Sequence, residues 1–279
     1  MKKAFLLSVF VVALTTTLSA RVIKVDINGS GQFTSINAAI TAAVAGDTIK
    51  VLPGSYFEQV TINKNVVVMG SGFETTIINS TSNPTINMSS GKLLWFDISS
   101  TAGDGIKVSG TSAIISNCVI RGCSGNGIIA NTNGSSTTIV NCTILNNGGY
   151  GIGSWSGGAL SVTNCISMYN GNKGFYRDWY SGGILNLSYG DGPISQTNGN
   201  QGCIELDPQF VSSSDLHISQ GSPCWDKGNP SLLDPDGSQS DMGYFGGPDC
   251  PIYPVVKSVK IIPQPDGSIQ IQATGVSNY

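Results

Sequence analysis

Asn-Cys recurs at Asn117-Cys118, Asn141-Cys142 and Asn164-Cys165, and Gly127-Ile128, Gly151-Ile152 and Gly174-Phe175 follow at a constant distance, so the middle of the chain repeats every 24 and then 23 residues. The frame extends upstream to Trp95-Phe96 with Gly105-Ile106 and downstream to Asn186-Leu187, at offsets of 22 residues. Repeats of this length are stacked units, none of which buries its apolar face alone. This single feature excludes most globular architectures.

Each unit consists of short runs rich in Ile and Val, such as ISNCVI and TTIVNCTI, cut by Gly, Asn and Ser. Such runs are strands joined by tight turns, and no helical period fits them. Units of this size suit one coil of a parallel β-helix, in which neighbouring coils pair about 4.8 Å apart. Three inward columns are then expected: Phe96, Cys118, Cys142, Cys165 and Leu187; Ile98, Ile120 and Ile144; and Ile106, Ile128, Ile152 and Phe175. Asn117, Asn141, Asn164 and Asn186 form a further column, and Asn147 with Asn170 another, whose amides can bond along the stack.

Composition agrees with an elongated, exported object. Charged residues are 11% of the chain, well under the roughly 25% of an ordinary domain, and 36 glycines supply turns. Lys2 and Lys3, an apolar stretch from Ala4 to about Leu14, and Ser19-Ala20 have the layout of a secretory signal peptide over residues 1–20. The apolar stretch is short for a membrane span, and no other segment could cross a bilayer. Without residues 1–20 the chain carries 12 Lys/Arg against 17 Asp/Glu, a charge of −5, and no basic run, which argues against a nucleic-acid partner. Of seven cysteines, Cys118, Cys142 and Cys165 are packing residues in an inward column, and Cys123 takes the ladder position of Asn147 and Asn170. A crosslink among Cys203, Cys224 and Cys250 is one reading of the remaining three.

Ahead of the coils, RVIKVD reads as a strand, and Thr34 or Ser35 caps a helix over about 34–45 whose Phe33, Ile36, Ile40 and Ala43 or Val44 share a face. Such a helix would cover the open end of the first coil. Residues 29–72, with Gly54, Tyr56 and Glu58 in a G-x-Y-x-E element, resemble the N-terminal cap and first coils of pectin methylesterases and, more widely, of the pectin-lyase-like superfamily. That resemblance implies an all-β, single-stranded right-handed parallel β-helix with an N-terminal capping helix. The QDT, DFIFG and RPW motifs that carry esterase chemistry do not occur, nor do the polygalacturonase and classical pectate-lyase elements, so no catalytic residue is carried over. Residues 206–248 resemble the closing segment of bacterial secreted β-helix proteins, with DP-x-F, GSP-x-x-D-x-G and D-x-G-x-x-GG elements and Cys224 where a small apolar residue is usual. The expected organisation is a signal peptide (1–20), a β-helix domain (21–250) and the start of a β-sandwich or sorting domain (251–279), whose VVKSVKIIPQ and GSIQIQATG flank a Pro-Asp-Gly turn.

The richest chemistry lies in GYGIGSW and NKGFYRDWYSGG, where Tyr150 aligns with Lys173 and Trp155 with Asp178 on neighbouring coils. Aromatic faces stack on sugar rings, and cations hold uronate carboxylates and stabilise an enolate. Tyr150, Trp155, Tyr176, Asp178, Trp179 and Tyr180 are therefore the candidate polysaccharide-binding residues. Lys173 and Arg177 are the candidates for the base and cation of a β-elimination. Asp234, Asp236 and Asp241, with Ser238, offer oxygens for Ca2+, or form a hydrogen-bonded Asp-Gly turn. His217, the single histidine, alternates with Leu216 and Ile218 and is expected to face outward without a catalytic role. Two functions follow: a secreted or cell-surface protein engaging acidic polysaccharide as a lyase, or a non-catalytic adhesive β-helix.

Overall fold

The computed structural model describes residues 19–130, 136–155, 157–178, 180, 184–195, 197–251, 255–264 and 268–276. Most of the expected signal peptide, residues 1–18, and the candidate Trp179 lie outside them. Three strand faces build a parallel β-helix. The first face holds Val60–Ile62, 86–88, 106–108, Ile128–Ala130, Ile152–Ser154, Phe175–Arg177 and Ile194–Ser195. The second runs from Val22–Val25 through Thr48–Val51, Val67–Met69, 90–94, 112–116, Ser136–Val140 and Ala159–Thr163 to Ile184–Ser188 and Gly199–Gln201. The third holds Gly54–Phe57, Thr76–Ser80, Asp97–Ser100, Val119–Arg121, Thr143–Leu145 and Ile166–Met168. Every ladder among them is parallel.

The register confirms the expected columns over most of their length. Ile98, Ile120 and Ile144 pair in sequence, as do Ile106, Ile128, Ile152 and Phe175, and all are fully buried. Each such side chain contributes roughly 1.5–3 kcal/mol. Val119 pairs with Thr143 and Thr143 with Ile166, which aligns Cys118, Cys142 and Cys165, all buried. Burial pushes the Cys118 and Cys142 thiols well above their usual range, so these are packing groups and not nucleophiles. The second ladder also forms: Asn147 Oδ1 accepts the Cys123 amide at 2.9 Å, and Asn147 Nδ2 donates to Asn170 Oδ1 at 3.0 Å.

The frame slips in the last coil. Ile166 bridges to Asp191, which puts Gly190 over Cys165, while Leu187 pairs with Val162 and Asn186 with Ser161 on the second face. The corner after the second face is occupied in turn by Trp95, Asn117, Asn141, Asn164 and Tyr189, with φ between 44° and 69°. The final interval is thus 25 residues, because the connection between Arg177 and Ile184 lengthens that coil. Asn117, Asn141 and Asn164 adopt the left-handed conformation that Asn tolerates best after Gly. Their amides also do something the repeat does not reveal. Asn117 Nδ2 donates to Tyr244 O (2.6 Å) and Gly246 O (2.8 Å), Asn141 Nδ2 to Asp241 O (2.9 Å), and Asn164 Oδ1 accepts the Asn229 amide (2.7 Å). The corner column is therefore an anchor for the closing segment, with a single long contact of 3.5 Å between Asn164 and Asn141 along the stack.

That closing segment covers the third face. Val119, Leu145 and Met168 project outward there and meet Phe210, Leu216, Tyr244 and Phe245. Lys92 pairs with Asp249 at 2.6 Å and Trp95 Nε1 donates to Asp249 O at 2.8 Å, fixing its far end. The cysteine crosslink is not formed. All seven cysteines are free thiols; Cys224 faces Asp191 at 3.1 Å, Cys203 accepts the Gly190 amide, and Cys250 packs beneath Phe73 and Tyr244. His217 stacks on Phe245 at 3.7 Å and contacts Asp215 at 2.6 Å, a packing position at the edge of this cover. Val255–Pro263 and Ile269–Val276 pair as an antiparallel hairpin.

The other end is closed by the helix Ile36–Ala42, with Ile36, Ala39 and Ile40 buried. A helix this short is unstable alone, so its ends are held from the coils. Ser35 is the N-cap, and Glu58 accepts from Ile36 N (2.7 Å), Asn37 N (3.2 Å) and Ser35 Oγ (2.8 Å). At the other end Lys64 Nζ donates to the carbonyls of Ile40, Thr41 and Ala43 at 2.7–2.9 Å. Tyr56, buried, donates to Leu52 O at 2.9 Å. Tyr56 and Glu58 are thus cap-fastening residues.

Asn141→Ala removes both the left-handed preference and the amide bonds, and is expected to cost about 2–3 kcal/mol, a fall in Tm of roughly 5–10 °C. Asn141→Gly keeps the backbone freedom and should lose only about half of that. Thermal unfolding of both variants measures the two contributions separately.

Candidate functional site

Outside each inward pair on the first face lies one outward position, and the register aligns Thr61, Asn87, Lys107, Ile129, Gly153, Tyr176 and Ser195 in a single column. At Gly153 the column has no side chain, and the Trp155 indole folds back over it. A Cβ there would lie 2.1 Å from two indole carbons, so only glycine admits this ring position. The Trp155 backbone is held by its amide on Ala130 O (2.6 Å) and by Gly158 N on its carbonyl (2.8 Å). Tyr176, one coil on, stacks on Tyr150 at 4.1 Å and lies 5.3 Å from Trp155, while Tyr150 meets Trp155 edge-on at 5.6 Å. Three half-buried rings from two adjacent coils thus make one continuous surface. A turn ladder positions it: Asp104 Oδ1 accepts Asn126 N and Nδ2 at 2.8 Å, and Asn126 Oδ1 accepts Tyr150 N at 2.8 Å. Burial, with Asp178 and the Tyr150 hydroxyl nearby, raises the Tyr176 phenol, so it stays neutral at physiological pH.

The cations are placed around this surface and not within it. Gly151 N donates to Lys173 O at 3.0 Å, so Lys173 does stand over Tyr150, exposed. With Tyr150, Asn172, Pro193 and Glu205 it lines a shallow depression of about 380 Å3. Arg177 pairs with Ser154 and continues the column of Val108 and Ala130, so its pleat position is opposite to that of Tyr176; it is half-buried. Lys173 lies in the turn ahead of the strand Phe175–Arg177, and Arg177 is the last residue of that strand. Asp178 N donates to Ser154 O at 2.8 Å, and Asp178 Oδ1 accepts Tyr180 N at 3.1 Å, leaving the Tyr180 side chain 97% exposed. Lys107, two coils below Gly153 in the outward column, and Glu205 join this region without having been singled out by sequence. Lys107 was within reach of the pattern: like Tyr176, it directly follows a Gly-apolar step.

The acidic cluster of the closing segment is assembled differently from its sequence reading. Carboxylate oxygens of Asp226, Asp234 and Asp241 lie within 4.8 Å of one another and could hold a metal ion. Asp236 instead accepts Ser238 N (2.9 Å) and Oγ (2.7 Å) in its own turn. Asp234 accepts the amides of Asp241 and Gly247, and Asp241 accepts that of Asp226 at 2.7 Å, so the cluster also folds the segment onto itself. Burial raises Asp241 most, against the bond from the Asp226 amide, and the neighbouring carboxylates add to it, so the carboxyl is pushed up to about 7. A carboxyl raised in the folded state favours folding while protonated. Stability should therefore decline as pH rises from about 4 to about 7 in chelator-treated protein, between the ordinary value of 3.8 and the raised one. Asp241→Asn should flatten that slope in thermal unfolding across the same window.

Residues 89–184 match the family described as right handed beta helix region. Similar solved structures include a pectate lyase (13% identity, 82% of this chain and 97% of that one, TM-score 0.44). Others are pectin methylesterases from Aspergillus niger (16%, 73% and 81%, 0.39) and Erwinia chrysanthemi (13%, 74% and 75%, 0.34). No curated protein sequence matches the chain. Among the described residues, no helix is long and apolar enough to cross a membrane. With its parallel ladders and this family match, the protein is a right-handed parallel β-helix.

Proposed function

We propose that the protein is exported and binds an acidic polysaccharide across the outer surface of the first strand face. The observation that supports this best is the fixed cluster of Tyr150, Trp155 and Tyr176, whose rings form one platform on adjacent coils. Sugar rings stack on such a platform through their C–H faces. Lys173 at one edge and Lys107 further down the column supply positive charge for uronate carboxylates in a chain lying along the coil axis. Rigid coils hold these groups at fixed spacing, which lowers the ordering cost of binding an extended polymer.

Catalysis by β-elimination is the stronger form of this reading. A base, Lys173 or Arg177 in its neutral form, would take the proton from the uronate C5 while a cation holds the enolate; the C4–C5 double bond would then form as the glycosidic C4–O bond breaks, with the leaving oxygen taking a proton from water. The opposite pleat positions of Tyr176 and Arg177, and the placement of Lys173 in the turn ahead of that strand, favour the alternative in which the surface binds without cleaving.

Titration calorimetry with polygalacturonate and a neutral polymer, together with absorbance of unsaturated uronate, tests both. Trp155→Ala is expected to weaken binding by about 1 kcal/mol or more, roughly fivefold. Gly153→Ala should weaken it comparably, because its Cβ displaces the indole without removing it. Lys173→Ala should weaken polygalacturonate binding and leave the neutral polymer unaffected. Unchanged affinity in all three folded variants would mean that the rings only cover a coil edge.

A further inference from the structure

We propose that the leader is removed between Ala20 and Arg21, and that the α-ammonium released on Arg21 is a structural charge that fastens the N-terminal end of the coil stack to Asp47. The proposal rests on the export reading above.

The first strand, Val22–Val25, begins one residue after Arg21. Val22 pairs with Thr48 in the first ladder, Thr48 N donates to Arg21 O at 2.8 Å, and Arg21 therefore stands directly opposite Asp47. Ala20, a small residue that suits the position just before a leader-peptidase cut, is exposed directly ahead of Arg21. Asp47 lies in the turn that leads from the capping helix into the strand Thr48–Val51, and its side chain is 0% exposed. Its carboxylate accepts from Arg21 N (2.9 Å), Arg21 Nη2 (2.7 Å), Arg21 Nε (3.3 Å) and Val44 N (2.9 Å). The Arg21 side chain is by contrast 54% exposed, and its Nη2 also reaches Ala42 O at 3.4 Å, the last residue of the capping helix.

One atom in this arrangement changes character when the leader is cut. In the precursor, the Arg21 nitrogen is a neutral peptide amide that donates one hydrogen bond. Hydrolysis of the Ala20–Arg21 peptide bond by water gives a carboxylate on Ala20 and an ammonium on Arg21. The nitrogen already 2.9 Å from Asp47 Oδ1 then carries a full charge and three donors. The precursor bond is already charge-assisted through the carboxylate, and the ammonium adds a second full opposite charge, which turns that bond into an ion pair. Asp47 would be clamped by two positive groups of one residue, joining the first strand, the capping helix and the second strand at a single buried carboxylate. Export would thereby tighten the end of the β-helix, and the precursor would keep a looser N-terminal end until processing.

The test uses the whole chain in three forms: beginning at Arg21 with a free amine, beginning at Arg21 with the amine acetylated, and beginning at Ser19. The free-amine form is expected to melt at least about 2 °C above both others. Asp47→Asn should abolish that difference. Equal Tm values for the three forms overturn the structural role of the amine. Should Asp47→Asn fail to fold, the amine itself is titrated by NMR in the wild-type chain: a value above the ordinary range of about 7.7–8.0 supports the ion pair, and one within it overturns it. The mass of the exported protein locates the cut. An N-terminus at Arg21 supports the proposal, and one at another residue overturns it while export stands. Retention of the full-length chain inside the producing cell defeats the export reading itself, whatever the melting temperatures show.

Discussion

The central coils of this β-helix depend on a left-handed corner after each second-face strand from 90–94 to Ile184–Ser188. Parallel ladders satisfy the backbone groups of every coil only if each new coil re-enters in register with the last. A single residue at φ between 44° and 69° makes that turn at Trp95, Asn117, Asn141, Asn164 and Tyr189. Most L residues resist this conformation by about 1–2 kcal/mol, and Asn resists it less because its short amide bonds locally. The next residue is then directed inward, and Phe96, Cys118, Cys142 and Cys165 share that buried column. The same amides reach outward to the carbonyls of Tyr244, Gly246 and Asp241, so one residue type both turns the coil and fastens its cover.

A stack of coils has two exposed ends and three outer faces, and each is treated differently here. The first end is closed by a helix that could not exist unaided, fixed by Glu58 at its amides and Lys64 at its carbonyls. The third face is apolar on its outside as well, with Val119, Leu145 and Met168, and is hidden under the closing segment. An ion pair with one buried partner fits the same scheme. Arg121, 32% exposed and set over the Phe73 ring, bonds Asp97 at 2.7 Å, where burial raises the carboxyl and its Oδ1 has no partner among the described residues. The outer first face, with its aromatic cluster, is treated differently again: its rings remain half exposed beside the coil turns.

Period and pleat made much of this readable from sequence. The Asn-Cys and Gly-apolar spacings placed Ile106, Ile128, Ile152 and Phe175 in one column and Tyr150 over Lys173, because a solenoid converts sequence distance directly into spatial register. The reading failed where the period changed. Asn186-Leu187 mimics Asn-Cys, but the longer connection before Ile184 moves the corner to Tyr189, and no local feature of Asn186 reveals it. Contacts without a period were equally hidden. The Asn column was expected to bond along the stack, whereas its partners lie 65 to 129 residues away in the closing segment. Asp226 joined Asp234 and Asp241 for the same reason, while Asp236, nearer in sequence, turned to Ser238.

The aromatic surface shows how a repeat generates a site by breaking its own rule. Along the outward column the side chains are unremarkable until position 153, where glycine replaces the larger residues found below it at Ile129 and Lys107. Removing one side chain opens a slot of one residue's width, and the indole of Trp155 lies into it from the adjacent turn. Tyr176 on the next coil then has a flat neighbour to meet, and Tyr150, positioned through Asn126 from the turn below, closes the third side. None of the three rings would hold this arrangement alone. Tyr150 and Tyr176 come from different coils, so their 4.1 Å stacking depends on the parallel register, and the register depends on the corners. A change at Asn141, on the opposite side of the coil, therefore acts on the same surface as a change at Gly153: the first through the stacking of coils, the second through the space between rings.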